Sequence, residues 1–271
     1  MSGKAKLIHG DALSELKKLP KNHFQLIFTS PPYNIGKEYE KIILDWQDYS
    51  SYMSGVVKEC RELLTSNGSI VFQLGNWVLK DRRVPLDIKF FPLFENEGFY
   101  FQNRIIWHYN WGYNCSKRFS GRYETCLWFT KNREYYFNVD PVRIPQKYPK
   151  KKAYKGINKG SYSCNKLGKN PTDFWIADSF KHELVDTPNI TRNNPEKMDH
   201  PCQSPLKLVN NFVLCLTREK DNILDPFGGV GSVVLSALLN NRSGWMIEKE
   251  KKYLDQAYLR IKKGNDLCPV A

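Results

Sequence analysis

The chain has 271 residues, of which 41% are hydrophobic and 14% aromatic, and its formal net charge is +13. That composition excludes disorder as a whole-chain description and supplies core for one large α/β domain, or for a domain with a sizeable insertion. The charge points to a polyanionic partner such as nucleic acid, with a lysine-rich background composition as the plain alternative.

The predicted elements begin with a short strand at Leu7-Ile8. Asp11 follows and could cap a helix starting at Ala12. A second strand covers Phe24 to Thr29 and ends in Ser30-Pro31-Pro32-Tyr33-Asn34. Tyr52, Val56, Cys60 and Leu63-Leu64 recur at helical spacing before the Asn67-Gly68 turn. Strands are then expected at Ser69 to Leu74, Arg104 to His108 and Cys126 to Thr130. Pro141 to Asn170 breaks the pattern, with nine Lys or Arg residues, no Asp or Glu, and Tyr148, Tyr154 and Tyr162 interleaved. This reads as an insertion extending to about Asn194. Helical spacing resumes over Leu206, Val209, Phe212-Val213 and Leu216. A strand at Asn222 to Asp225, a helix from Val233 to Leu239, a strand at Gly244 to Glu248 and a helix through Tyr253, Ala257 and Ile261 complete the series. Most strands are continuous apolar runs, as in a parallel sheet covered on both faces. Strands alternating with helices imply a three-layer α/β fold with right-handed crossovers.

Two loops carry chemistry. Asp225-Pro-Phe227-Gly-Gly229-Val-Gly231-Ser232 runs from a strand into a helix. Gly229 and Gly231 permit positive φ and close backbone approach, and the helix N-terminus offers free amides. Glu248, at the end of the next strand, could accept hydrogen bonds from ribose hydroxyls. An ordinary tight turn with a surface glutamate is the alternative. NAD fits poorly, since the loop lacks the G-x-G-x-x-G spacing. In the second loop, Pro31 and Pro32 hold their carbonyls in fixed directions. Ser30 Oγ and the Pro31 carbonyl could accept the hydrogens of a heterocyclic amine, with Tyr33 stacked on the ring.

The two motifs in this order resemble the DNA amino-methyltransferases of restriction–modification systems, in the permuted beta arrangement. Further family-like segments are His9 to Leu13, Arg118 to Thr125, His200 to Pro205 and Glu248 to Tyr253. The resemblance spans nearly the whole chain except about 140–195. It departs from the family at Ser232, where Thr is frequent; the hydroxyl is kept.

The resemblance implies a Rossmann-like, circularly permuted methyltransferase fold dependent on S-adenosyl-L-methionine, with three layers and a mostly parallel seven-stranded sheet. Residues 1–139 and 196–271 would form the catalytic domain, and 140–195 the inserted target-recognition region. Asp11, Phe227, Gly229, Gly231, Ser232 and Glu248 would bind the cofactor, Asp11 holding its adenine amino group. The segment entering Leu206 would hold its methionine end. Ser30, Pro31, Pro32 and Tyr33 would be catalytic. Arg118, Arg122, Arg143 and Lys150, Lys151 and Lys152 are candidate contacts to double-stranded DNA, a solvated loop being the alternative for the lysine run. No metal is expected.

In the resembled family Ser at the first motif position goes with N4-cytosine enzymes and Asp with N6-adenine enzymes. Ser30 therefore favours N4 of cytosine, with N6 of adenine as the alternative on the same fold and mechanism. A non-catalytic DNA-binding relative and an RNA methyltransferase are weaker readings. Pro201-Cys202-Gln203 resembles the nucleophile motif of cytosine C5-methyltransferases, but it precedes the glycine loop instead of following it. Many members of the resembled family form homodimers or work beside a cognate restriction endonuclease; neither interface is legible here.

The seven cysteines are odd in number and include no C-x-x-C pair, which fits reduced thiols in a cytosol. The start MSGKAKLIHGDAL has no apolar signal core, and no run approaches the ~20 apolar residues of a membrane span. The expectation is a cytoplasmic, nucleoid-associated protein with no membrane partner.

Overall fold

The computed structural model describes residues 3–34, 44–78, 83–109, 112, 114–176, 190, 196–200 and 202–266. The tail of the expected insertion (177–189 and 191–195), Pro201 and Cys268 lie outside the described residues.

In chain order the elements are β1 (Ala5–His9), α1 (Ala12–Leu16), β2 (Phe24–Thr29), α2 (Trp46–Leu63), β3 (Leu64–Leu74), β4 (Asn76–Val78), β5 (Arg83–Pro85), α3 (Leu86–Asn96), β6 (Tyr100–His108) and β7 (Tyr123–Thr130). A 3₁₀ turn at Asp140–Val142 follows, then β8 (Phe174–Ile176), α4 (Leu206–Leu216), β9 (Asn222–Asp225), α5 (Ser232–Leu239), β10 (Ser243–Glu248) and α6 (Lys251–Asp266). The main sheet has the order β1-β10-β9-β2-β3-β7-β6-β8, and β4 and β5 form a separate hairpin. From β1 across to β3 every pairing is parallel. β7 is antiparallel to both β3 and β6, while β8 runs parallel to β6. All strands but β7 therefore point one way. The seven expected strands are present, and Phe174–Ile176 adds an eighth at the edge, contributed by the segment read as an insertion.

All six residues of β2 are buried, which explains a strand with no polar alternation. Elsewhere alternation sorts side chains to two cores. Ile8 and Ile247 face the core built with α2 and α3, which includes Phe72, Phe90, Phe94 and Phe129. Leu7 and Met246 face the opposite side, where they meet Val234, Leu235, Ala257 and Ile261 of α5 and α6. α4 covers the middle of that second face through Leu208, Val209, Phe212 and Val213. Among the described residues no helix is long and apolar enough to cross a membrane.

The topology fixes where a ligand can sit. From β9 the chain crosses to β10 on one side, and from β2 it crosses to β3 on the other. The junction between β9 and β2 is thus the switch point, where neighbouring crossovers diverge and leave a crevice beyond the strand C-termini.

Candidate active site

A cleft of about 500 Å³ opens at that switch point, and its lining includes both sequence loops. The volume lies within the usual range for a small-molecule site.

The glycine loop forms one wall. Gly229 has φ +50° and Gly231 has φ +76°. The loop is pinned to β10 by Gly228 N donating to the Ile247 carbonyl at 2.8 Å. Glu248 completes the pinning: its Oε2 accepts from Gly229 N at 2.8 Å and its Oε1 from Glu250 N at 2.7 Å. Burial lifts the Glu248 pKa, opposed by these amide hydrogen bonds. Phe227, Gly229, Ser232 and Glu248 line the cleft. Gly231 is placed differently from a cradle residue. It is the N-cap of α5, and a Cβ there would stand 3.1 Å from Ala257 Cβ. Its positive φ turns the chain into α5, and its missing side chain lets α6 approach.

Asp11 contributes from the end of β1. Its Oδ1 caps α1 by accepting from Ser14 N at 3.2 Å, and its Oδ2 accepts from the Tyr52 hydroxyl at 3.0 Å. Asp11 lines the cleft as well, so capping and ligand contact coexist.

The Ser30-Pro31-Pro32-Tyr33 loop forms the other wall. Its backbone is fixed by Tyr49, whose hydroxyl donates to the Pro32 carbonyl. Asn34, at φ +56°, closes the loop by exchanging two side-chain hydrogen bonds with the Leu44 backbone. Asn tolerates that left-handed conformation better than most residues. Ser30 Oγ lies 3.1 Å from the Tyr33 hydroxyl. The Tyr33 hydroxyl in turn donates to the Gln73 carbonyl and to Glu124 Oε2, each at 3.3 Å. Glu124 Oε2 also accepts from Gln73 Nε2 at 2.7 Å, and Ser204 Oγ donates to Gln73 Oε1 at 2.9 Å. Tyr33 is only 9% exposed, so the ring borders the cleft from an anchored position. Burial raises the Glu124 pKa, opposed by the hydrogen bonds from Gln73 and Tyr33. Burial, with Glu124 beside it, holds the Tyr33 phenol neutral.

His200 roofs the glycine loop. Its Nε2 stands 3.2 Å from where a Gly229 Cβ would be, and its ring meets Tyr253 edge-on at 4.5 Å. Burial, then Lys197, lowers its pKa to about 4, so the ring is neutral at pH 7. Its Nδ1 accepts from Cys202 N at 3.2 Å, which assigns the ring proton to Nε2. The Cys202 residue lines the cleft beside it. Cys202→Ala is expected to leave methyl transfer within about threefold of wild type, since no motif geometry assigns the thiol a covalent role. Near-total loss in a folded variant, read by a radiolabel transfer assay, would contradict this.

Several of these residues carried no sequence assignment. Asp225 is one: its Oδ1 accepts from Thr29 Oγ1 at 2.6 Å and from Phe227 N at 3.0 Å. Burial raises its pKa to about 7, with the charge of Glu248 adding to the shift. An acid ending a wholly apolar strand was its signal. Arg260 is another. It donates to Ser232 Oγ at 2.9 Å, to the Val230 carbonyl at 3.3 Å and to Glu196 Oε1 at 3.1 Å. Glu196 Oε1 also accepts from Leu206 N, so one buried cation ties the glycine loop to the start of α4. Its signal was position: Arg260 falls on the same helical face as Tyr253, Ala257 and Ile261. Arg260→Met is expected to lower unfolding free energy by about 3 kcal/mol, because Glu196 would keep its burial and lose its charged partner. Urea denaturation measures this, and a loss below about 1 kcal/mol would contradict it.

The DNA-contact candidates are not gathered at the cleft. Lys150, Lys151 and Lys152 are exposed at the start of a small hairpin closed by Ser163 N donating to the Lys151 carbonyl and Ala153 N to the Ser161 carbonyl. Arg143 differs from the expectation of a groove contact. Its Nε donates to Asp140 Oδ1 at 2.6 Å and its Nη1 to the Gly168 carbonyl, with 15% of the side chain exposed, so it braces the root of the insertion. Arg118 is exposed, and Arg122 donates to Asn114 Oδ1 at 2.8 Å.

Comparison with known proteins assigns this arrangement. A family model described as DNA methylase, for N6 and N4 methyltransferases, matches residues 24–259. The type II methyltransferase M.BglII from Bacillus subtilis is 41% identical over 254 residues, which cover 93% of this chain and 68% of that protein. The DNA adenine methyltransferase YhdJ of Escherichia coli K12 is 28% identical, over 94% of this chain and 82% of its own. Among solved structures, the PvuII DNA methyltransferase (cytosine-N4-specific) superposes with TM-score 0.72 at 18% identity, covering 98% of this chain and 92% of that one. A DNA modification methylase of Thermus thermophilus, TTHA0409, complexed with S-adenosyl-L-methionine, gives TM-score 0.67 at 22% identity over 96% and 95% of the two chains. The paired loops, their permuted order and a family match over most of the length agree: the chain belongs to the N6/N4 family of DNA methylases.

Proposed function

We propose that the protein transfers a methyl group from S-adenosyl-L-methionine to the N4 amino group of cytosine in double-stranded DNA. The observation that carries the reading is one cleft walled by Glu248 and the glycine loop on one side and by Ser30 and Tyr33 on the other.

The residues fit the donor. Asp11 and Glu248 offer carboxylates for an adenine amine and for ribose hydroxyls, and Phe227 offers an apolar surface between them. Bound there, the donor would supply a sulfonium-activated methyl group. The acidic cleft of a basic protein suits a cationic ligand. Asp225, titrating at about 7, extends this electrostatics. A cation nearby favours its ionised form, so donor affinity is expected to rise between pH 6 and 8, with partial proton release. Calorimetry in buffers of different ionisation heat measures this. Asp225→Asn should flatten the profile, and an identical profile in the variant would exclude Asp225 as its source.

An exocyclic amine is a weak nucleophile because its lone pair is delocalised into the ring. Ser30 Oγ and the Pro31 carbonyl would accept its hydrogens and favour a pyramidal nitrogen with the lone pair aimed at the methyl group. Alignment then supplies much of the rate. Behind Ser30, hydrogen bonds run to the Tyr33 hydroxyl and on to Glu124. That line gives the amine proton a path from Ser30 Oγ to a carboxylate. The target base must leave the duplex to reach this site, at a cost of roughly a few kcal/mol, and the anchored Tyr33 ring gives it a fixed surface to stack on. Residues 1–139 and 196–271 would do the chemistry while 140–195 selects the site, its lysines supplying salt-dependent phosphate contacts.

The support for cytosine is Ser30, the hydroxyl form of the motif. Labelled transfer to mixed-sequence duplex DNA, followed by nucleoside mass spectrometry, tests it. N4-methylcytosine is the expected product. N6-methyladenine would overturn the base assignment and leave the amine chemistry standing; 5-methylcytosine would overturn both.

A further inference from the structure

We propose that Phe119 is the wedge that enters the duplex when the target base leaves it, an inference that rests on the DNA-methylase reading above. Phe119 is 99% exposed. It sits in the connection between β6 and β7, which pair up to His108 and Tyr123. Since β7 alone opposes the other strands, this connection emerges at the sheet edge that carries the C-terminal ends of β2, β3 and β9. That is the edge of the catalytic cleft. Five residues beyond Phe119, Glu124 hydrogen-bonds the Tyr33 hydroxyl. Phe119 is therefore tethered to the catalytic network by at most about 18 Å of extended chain.

The loop is braced, so the ring is presented and not merely loose. Cys115 N donates to Ser120 Oγ at 3.0 Å, Arg122 Nη2 to Asn114 Oδ1 at 2.8 Å, and Tyr109 N to the Arg122 carbonyl at 2.8 Å. Gly112 has φ +146°, and a Cβ there would stand 2.9 Å from Arg122 Nη1, so the brace uses the absence of a side chain at that position. Single exposed apolar residues are ordinary on protein surfaces. Here a fully exposed aromatic ring is held at a loop tip, with Lys117 and Arg118 before it, Arg122 after it and no acid from 116 to 122. Cations on both sides complement the phosphates flanking a base step. An apolar ring between them suits the step itself, where wedge side chains replace lost stacking. Tip and network together predict a coupling: the ring holds the gap while Ser30 and Tyr33 hold the base.

The test uses the full chain and a duplex bearing the target site mapped from DNA methylated by the wild type. The target base is either normally paired or placed opposite an abasic position, which removes most of the cost of extrusion. Phe119→Ala is expected to lower kcat/KM on the paired duplex by about tenfold or more, and to come within about threefold of wild type on the abasic duplex. Phe119→Trp should stay near wild type on both, and S-adenosyl-L-methionine affinity should be unchanged in each variant. Equal activity of Phe119→Ala and wild type on the paired duplex would overturn the proposal. So would a loss of the same size on both duplexes. No transfer by the wild type to either duplex would overturn the DNA-methylase reading itself.

Discussion

Ser30→Ala is expected to lower kcat by roughly two to three orders of magnitude while S-adenosyl-L-methionine affinity stays within about threefold. A group that aligns and polarises the reacting amine contributes on that scale. The variant should fold. Tyr33 loses one hydrogen-bond partner, yet its hydroxyl keeps the Gln73 carbonyl and Glu124. The backbone of the loop is held from elsewhere, by Tyr49 on the Pro32 carbonyl and by Asn34 on Leu44. Single-turnover transfer measures the chemical step and calorimetry the affinity. A Ser30→Ala enzyme that retains more than a tenth of the wild-type rate would remove Ser30 from the mechanism.

Glu248→Gln carries the second large effect, on binding in place of chemistry. The substitution looks conservative, but the geometry makes it severe. Both carboxylate oxygens accept from backbone amides, one from Gly229 and the other from Glu250. A glutamine has a single acceptor oxygen, so its NH2 would face one of those N–H groups. The glycine loop would lose its brace, and the ribose hydroxyls would lose a charged acceptor. A hydrogen bond to a charged group contributes about 1.5–3 kcal/mol. Donor affinity is therefore expected to fall roughly 10- to 150-fold, with a drop in thermal midpoint of the free protein. Unchanged affinity in Glu248→Gln would place the ribose elsewhere.

The strands of the sheet were legible because each is an apolar run bounded by turn residues. β8 was not, since three residues inside a basic, proline-rich stretch give no periodicity. α3 was missed because Pro92 interrupts its pattern. Both chemical loops were legible locally, as glycines after a strand and prolines after a strand. What lies behind them was not. Glu124 reaches Tyr33 across 91 residues of sequence because β3 pairs with β7 and places Gln73 beside that strand's start. Strand order is a property of the fold, and a string read in windows does not carry it. Gly231 shows the converse. Its spacing matched a cradle, while the close approach of Ala257 is what occupies its missing side chain. Arg143 likewise read as a free cation until Asp140 and Gly168 were seen to hold it.

The central claim is that one cleft aligns a methyl donor on Glu248 with an amine on Ser30. A crystal structure of the protein with S-adenosylhomocysteine tests it most directly. The account predicts ribose hydroxyls on Glu248, the adenine amine on Asp11, and the sulfur facing Ser30. A ligand bound outside this cleft, or one seated in it with the sulfur turned away from Ser30, would contradict the account.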